Sequence, residues 1–167
     1  MTKVHKAATR RTNSDHSASN LIVIGASAGG HSAIPKVIKS LPDDFPGAII
    51  TMLHLAPSPV FHFPRWLEQF GNLPVAVVED GTKLYDGHVY VAPPGALVSV
   101  ENMRLRLHAE MPQRRHHCID RLFTTAAASF KNRSIGVLLT GGGTDGTGKP
   151  SSKTPRKPSR EACRETR

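Results

Sequence analysis

Cysteine is nearly absent: Cys118 and Cys163 are the only two in 167 residues, and neither has a partner at metal-ligand spacing. A zinc site is therefore not expected, and for His116-His117 beside Cys118 a structural or surface role is the better expectation. The N-terminal MTKVHKAATRRTNSDHSASN lacks the apolar core of a secretory signal, which points to a reducing, cytoplasmic setting. Long apolar runs are also missing. Leu21 to Ile24 and Ala48 to Ala56 are both short, and the second contains His54, so no direct membrane insertion is expected.

A basic surface is missing as well, although the formal charge is +9. Residues 1–20 carry +3 and residues 149–167 carry +5, which leaves only +1 for the 128 residues between them. The charge thus sits in two solvated ends, and nucleic acid is not an expected partner. On composition the chain divides into a polar tail over 1–20, one domain over 21–148 and a basic, proline-rich tail over 149–167, both tails expected to be disordered.

Within the domain, Leu21 to Ile24 is wholly apolar and stops at Gly25, as a strand buried on both faces does. A helical pattern runs from about Gly30 to Leu41, with Pro35 tolerable only near its start, and ends in Leu41-Pro42-Asp43-Asp44. Ala48 to Leu55 predicts a second buried strand, and Phe61 to Phe70 a short helix with Trp66 and Phe70 on one side, closed by Gly71. Three short extended runs follow, at Val75 to Val78, His88 to Val91 and Ala96 to Val100, with Met103 to Leu107 as a returning partner. The turn formers Asp80-Gly81, Asp86-Gly87 and Pro93-Pro94-Gly95 make these read as hairpins. Ile119 to Phe130 predicts a helix with Leu122, Phe123, Ala126, Ala127 and Phe130 inward, and Ile135 to Leu139 a last strand running into a glycine loop.

The order predicts an α/β fold: a mainly parallel, doubly wound sheet with an antiparallel hairpin extension. After Gly148 apolar periodicity stops. The expectation is a sheet left incomplete at that end, and a shifted reading frame would account for the change in composition.

In open α/β sheets reacting groups gather at the carboxyl ends of parallel strands. Ser27 follows the first strand within Gly25-Ala26-Ser27-Ala28-Gly29-Gly30, His54 ends the second, and Asp145 lies in the glycine loop after the last. A hydroxyl nucleophile needs a base within reach and a carboxylate to orient that base, and these are the three side chains required. Each also has a plainer explanation: Ser27 as a helix cap, His54 as a buried, satisfied histidine, Asp145 as a turn former between glycines. Two phosphate-binding patterns compete. In the first glycine loop Ser27 stands where a dinucleotide site needs glycine, and in Gly143 to Lys149 the P-loop spacing is followed by Pro150 instead of Ser or Thr.

Taken together, LIVIGASAGG, the strand end LHLAP, EDGTKLYDGHVYVAPPG and LLTGGGTDGTG resemble the catalytic domain of the chemotaxis protein-glutamate methylesterases, the CheB-type methylesterases, over roughly residues 21–148. The resemblance implies hydrolysis of glutamate methyl esters on chemoreceptor cytoplasmic helices, and in many members deamidation of glutamines, without metal or organic cofactor. It implies Ser27, His54 and Asp145 as the catalytic set, with Ala28, Gly29, Gly142 and Gly143 supporting the oxyanion. Ala28 stands where threonine is common and Gly142 where methionine often occurs. The 20 polar residues ahead of the domain are too few for the receiver domain of regulated members. A non-catalytic remnant that binds partners, and a nucleotide-binding module, are the alternative expectations.

Overall fold

The computed structural model describes residues 17–55, 61–108, 117–140 and 145–146. Five strands form the main sheet: β1 (Leu21–Ala26), β2 (Ala48–Leu53), β3 (Val75–Val77), β4 (His88–Val91) and β7 (Ser134–Leu138), in the order β3-β4-β2-β1-β7. Every neighbouring pair is parallel. β5 (Leu97–Glu101) and β6 (Arg104–His108) form a separate antiparallel hairpin.

The apolar runs of β1 and β2 are explained by burial on two faces. Leu21, Val23, Ala48, Ile50 and Met52 face the layer formed by the hairpin and by α3 (Cys118–Phe130). Ile24, Ala26, Ile49 and Leu53 face α1 (Gly30–Lys39) and α2 (Phe63–Leu67). This two-sided cover is the doubly wound arrangement expected, with the antiparallel extension at β5-β6 alone.

Three expectations shift. Val75 to Val77 and His88 to Val91 are parallel members of the main sheet, not hairpin arms. Their turn residues close a crossover instead: Gly81 and Gly87 both have left-handed φ, near +79° and +70°, and the crossover pairs with β6 through Gly81 N–H to Leu105 O and Leu105 N–H to Thr82 O. The Tyr90 hydroxyl, donating to Lys83 O at 3.1 Å and accepting from Tyr85 N–H at 3.0 Å, fastens the crossover to β4. Pro35 lies in the second turn of α1, not at its start, so that turn lacks one backbone donor. On α3, Ile119 is buried and Ala127 is exposed, because the buried stripe runs through Ile119, Leu122, Ala126 and Phe130 at helical spacing and Ala127 falls outside it.

The first tail also ends sooner than composition suggested. Ala18 is buried and donates its N–H to Leu84 O, and Ser19 binds both oxygens of Asp86. Residues 1–16 and 147–167 lie outside the described residues.

Candidate functional site

β1 ends at Ala26 and the chain turns at Ser27. The Ser27 N–H donates to Thr140 O at 2.7 Å, and Ser27 O accepts from Gly30 N–H at 2.9 Å, which closes the turn. Gly29 takes φ +86° and ψ −10° as the residue capping α1, a conformation that costs an L side chain about 1–2 kcal/mol. No side chain makes a capping hydrogen bond at α1, and its first turn contains no acidic residue. The serine is therefore not the helix cap. The positive end of α1 lies beside a half-buried Ser27, with Ala28 and Gly29 exposed on the turn.

His54 stands beside it. β1 and β2 run in parallel register to Ala26↔Leu53, and His54 N–H continues the ladder by donating to Ala26 O at 2.8 Å. Ser27 and His54 thus leave adjacent strands at the same level, at a strand spacing of about 4.8 Å. The ring is exposed, so His54 is not a buried core histidine.

Asp145 follows β7, in the loop to which the sequence assigned it, and its carboxylate engages the start of α3. Its Oδ2 accepts from Ile119 N–H at 3.1 Å and from the Cys118 thiol at 3.3 Å, and its Oδ1 from Asp120 N–H at 2.9 Å. The carboxylate caps α3, whose own N-cap residue, His117, makes no capping bond. Among the described residues no hydrogen bond joins it to His54. The loop is nevertheless tied to β1: a Cβ on Gly25 would stand 2.5 Å from Ile119 Cγ2, and one on Gly146, whose φ is +87°, would stand 2.9 Å from the same methyl. Gly142 and Gly143 lie outside the described residues, as does most of the P-loop-like segment.

Three features were not visible in the sequence. Thr140 carries a buried hydroxyl that finds no hydrogen-bond partner among the described residues, 3.3 Å from where a Cβ on Gly29 would stand. Cys118 is buried, and desolvation, with Asp145 beside it, pushes its thiol up to about 12, so that the proton stays on sulfur at neutral pH. The third is a serine–histidine–carboxylate contact elsewhere: Ser99 Oγ lies 2.8 Å from Glu101 Oε1 and 2.7 Å from His108 Nε2. Ser99 is 0% exposed, so no substrate carbonyl can reach it, and the network joins the two hairpin strands.

His117, Asp120 and Asp145 bring one ligand atom each within 4.8 Å of one another. Both oxygens of Asp145 already receive N–H donors there, at the positive end of a helix, which disfavours a cation.

A family model described as CheB methylesterase matches residues 22–149. The protein-glutamate methylesterase/protein-glutamine glutaminase of Enterobacter cloacae is 36% identical over 135 residues, covering 78% of this chain and 38% of that protein. The protein of the same name from Bordetella pertussis is 36% identical over 148 residues, covering 85% and 42%. The crystal structure of the Thermotoga maritima CheB methylesterase catalytic domain superposes with a TM-score of 0.66 at 30% identity, over 77% of this chain and 71% of that one. The chain thus spans about two fifths of the length of these curated relatives.

Proposed function

Because the chain belongs to the CheB methylesterase family, we propose that it hydrolyses glutamate methyl esters on the cytoplasmic helices of chemoreceptors, with Ser27 as nucleophile. The observation that carries the reading is the Ser27 turn: a half-buried serine that does not cap its helix, level with His54 on the next strand. His54 takes the Ser27 proton as the oxygen attacks the ester carbonyl, and backbone N–H groups at the start of α1 and in the loop containing Gly142 and Gly143 hold the oxyanion. Methanol leaves with the proton from His54. Water, deprotonated by the same imidazole, then cleaves the acyl-enzyme to glutamate, and Asp145 stabilises the imidazolium. The same cycle on a glutamine releases ammonia. None of these steps requires a metal or an organic cofactor.

The assay is methanol release from a methylated receptor fragment, run on the chain and on Ser27→Ala. Release by the chain and none by the variant is the expected result; equal release by both overturns the nucleophile assignment. One observation favours a non-catalytic binding module instead: Ile135 and Leu138 on β7 are 60% and 44% exposed, an apolar patch of the kind that partners cover. That reading expects no methanol from either protein.

A further inference from the structure

The Asp145 carboxylate is held by the first turn of α3 through three donors, of which two are backbone N–H groups and one is a side chain. The backbone donors are common to any helix start, but the third depends on the residue at 118. We infer that Cys118 is a positioning residue for the ester hydrolysis, its thiol hydrogen bond setting the direction in which Asp145 presents its free lone pair. This rests on the proposal that Asp145 is the carboxylate partner of His54.

Among the described residues Oδ2 accepts two bonds, from Cys118 and Ile119, and Oδ1 accepts one, from Asp120, which leaves on Oδ1 a lone-pair direction for an imidazole N–H. Without the thiol, Oδ2 has only one donor, and the carboxylate can rotate to exchange its two oxygens. The thiol is suited to this task because it does not ionise: burial first, and the Asp145 charge second, keep the proton on sulfur. A thiolate in the same place would repel the carboxylate it has to hold.

The turn is also rigidly placed against the rest of the site. The Ile119 side chain fills the space above Gly25, two residues before Ser27, and touches the position beside Gly146. One helical turn therefore joins the strand carrying the nucleophile to the loop carrying the carboxylate. Small displacements of such a group are costly in rate.

The test compares kcat and KM for methanol release in Cys118→Ala, Cys118→Ser and Asp145→Asn, with thermal unfolding alongside. The expected result is a kcat reduced by about 2- to 10-fold in Cys118→Ala, a modest effect because a thiol is a weak hydrogen-bond donor, with KM unchanged. Cys118→Ser, which keeps a donor, recovers most of the loss. If Cys118→Ala does not fold, Cys118→Val fills the thiol volume without donating and takes its place. An unchanged kcat in the non-donating variant, or a loss that serine does not recover, overturns the positioning role while Asp145→Asn remains impaired. A fully active Asp145→Asn contradicts instead the assignment of Asp145 on which the inference rests.

Discussion

Replacing Gly30 by alanine puts a methyl group where the first turn of α1 meets two strands. The new Cβ would stand 2.6 Å from Ala26 Cβ and closer still to Leu53 Cδ1. The leucine methyl is the end of a flexible side chain and can rotate away, but Ala26 Cβ is fixed to the backbone of β1, directly before Ser27. Overpacking of this kind costs about 1–3 kcal/mol, and better helix propensity returns at most about 1 kcal/mol. Taking the middle of the overpacking range, the net loss of about 1 kcal/mol lowers Tm by roughly 2–4 °C for a chain of this size. The overlap can be relieved only by moving α1 away from the sheet, which carries the Ser27 turn with it. Differential scanning calorimetry and labelling by a fluorophosphonate probe, measured on the same samples, should therefore fall together. A Tm within about 1 °C of the parent (a threshold set below the roughly 2–4 °C expected) together with unchanged labelling would refute the claim that close helix-sheet approach positions the serine.

Other consequences can be checked separately. Ser99→Ala breaks the contact among Ser99, Glu101 and His108, so it should lower stability by about 1–3 kcal/mol in denaturant unfolding yet leave probe labelling intact. In a Cys163→Ser background the Cys118 thiol, raised from 9.0 to about 12, should resist iodoacetamide at neutral pH until the protein unfolds. Because the folded state holds that proton more tightly than the unfolded state, its contribution to stability is present below pH 9.0 and is lost as pH rises towards about 12, with a slope of at most about 1.4 kcal/mol per pH unit; unfolding measured in Cys118→Ser should show a shallower alkaline loss. Leu122→Ala, at a fully buried position, should cost about 2–5 kcal/mol, whereas Ile135→Lys, at a site 60% exposed, should change stability by about 0.5 kcal/mol or less.

What the sequence made legible follows from where the physical constraint is local. β1 and β2 are buried on both faces, and their unbroken apolar runs say so. β3 is three residues long, too short to show a period, and Asp-Gly turns look alike whether they close a hairpin or a crossover, so its parallel pairing could not be read. The Ser27 turn was legible because glycine at a left-handed φ and glycine at a close approach both leave a mark in composition. Asp145 was legible as a residue but not in its contacts: its donors are backbone N–H groups and a thiol 25 to 27 positions away, and backbone donors have no sequence signature. The Ser99 contact is hidden for a related reason, since cross-strand register between β5 and β6 brings its histidine into place.

The central claim is that Ser27, among all the serines, is the activated nucleophile. The measurement is a fluorophosphonate reaction on the folded chain followed by peptide mass spectrometry to locate the adduct. A single adduct on the peptide containing Ser27, lost in His54→Ala and in heat-unfolded protein, is the expected result; an adduct on Ser99, or none on any serine of the folded chain, would contradict it.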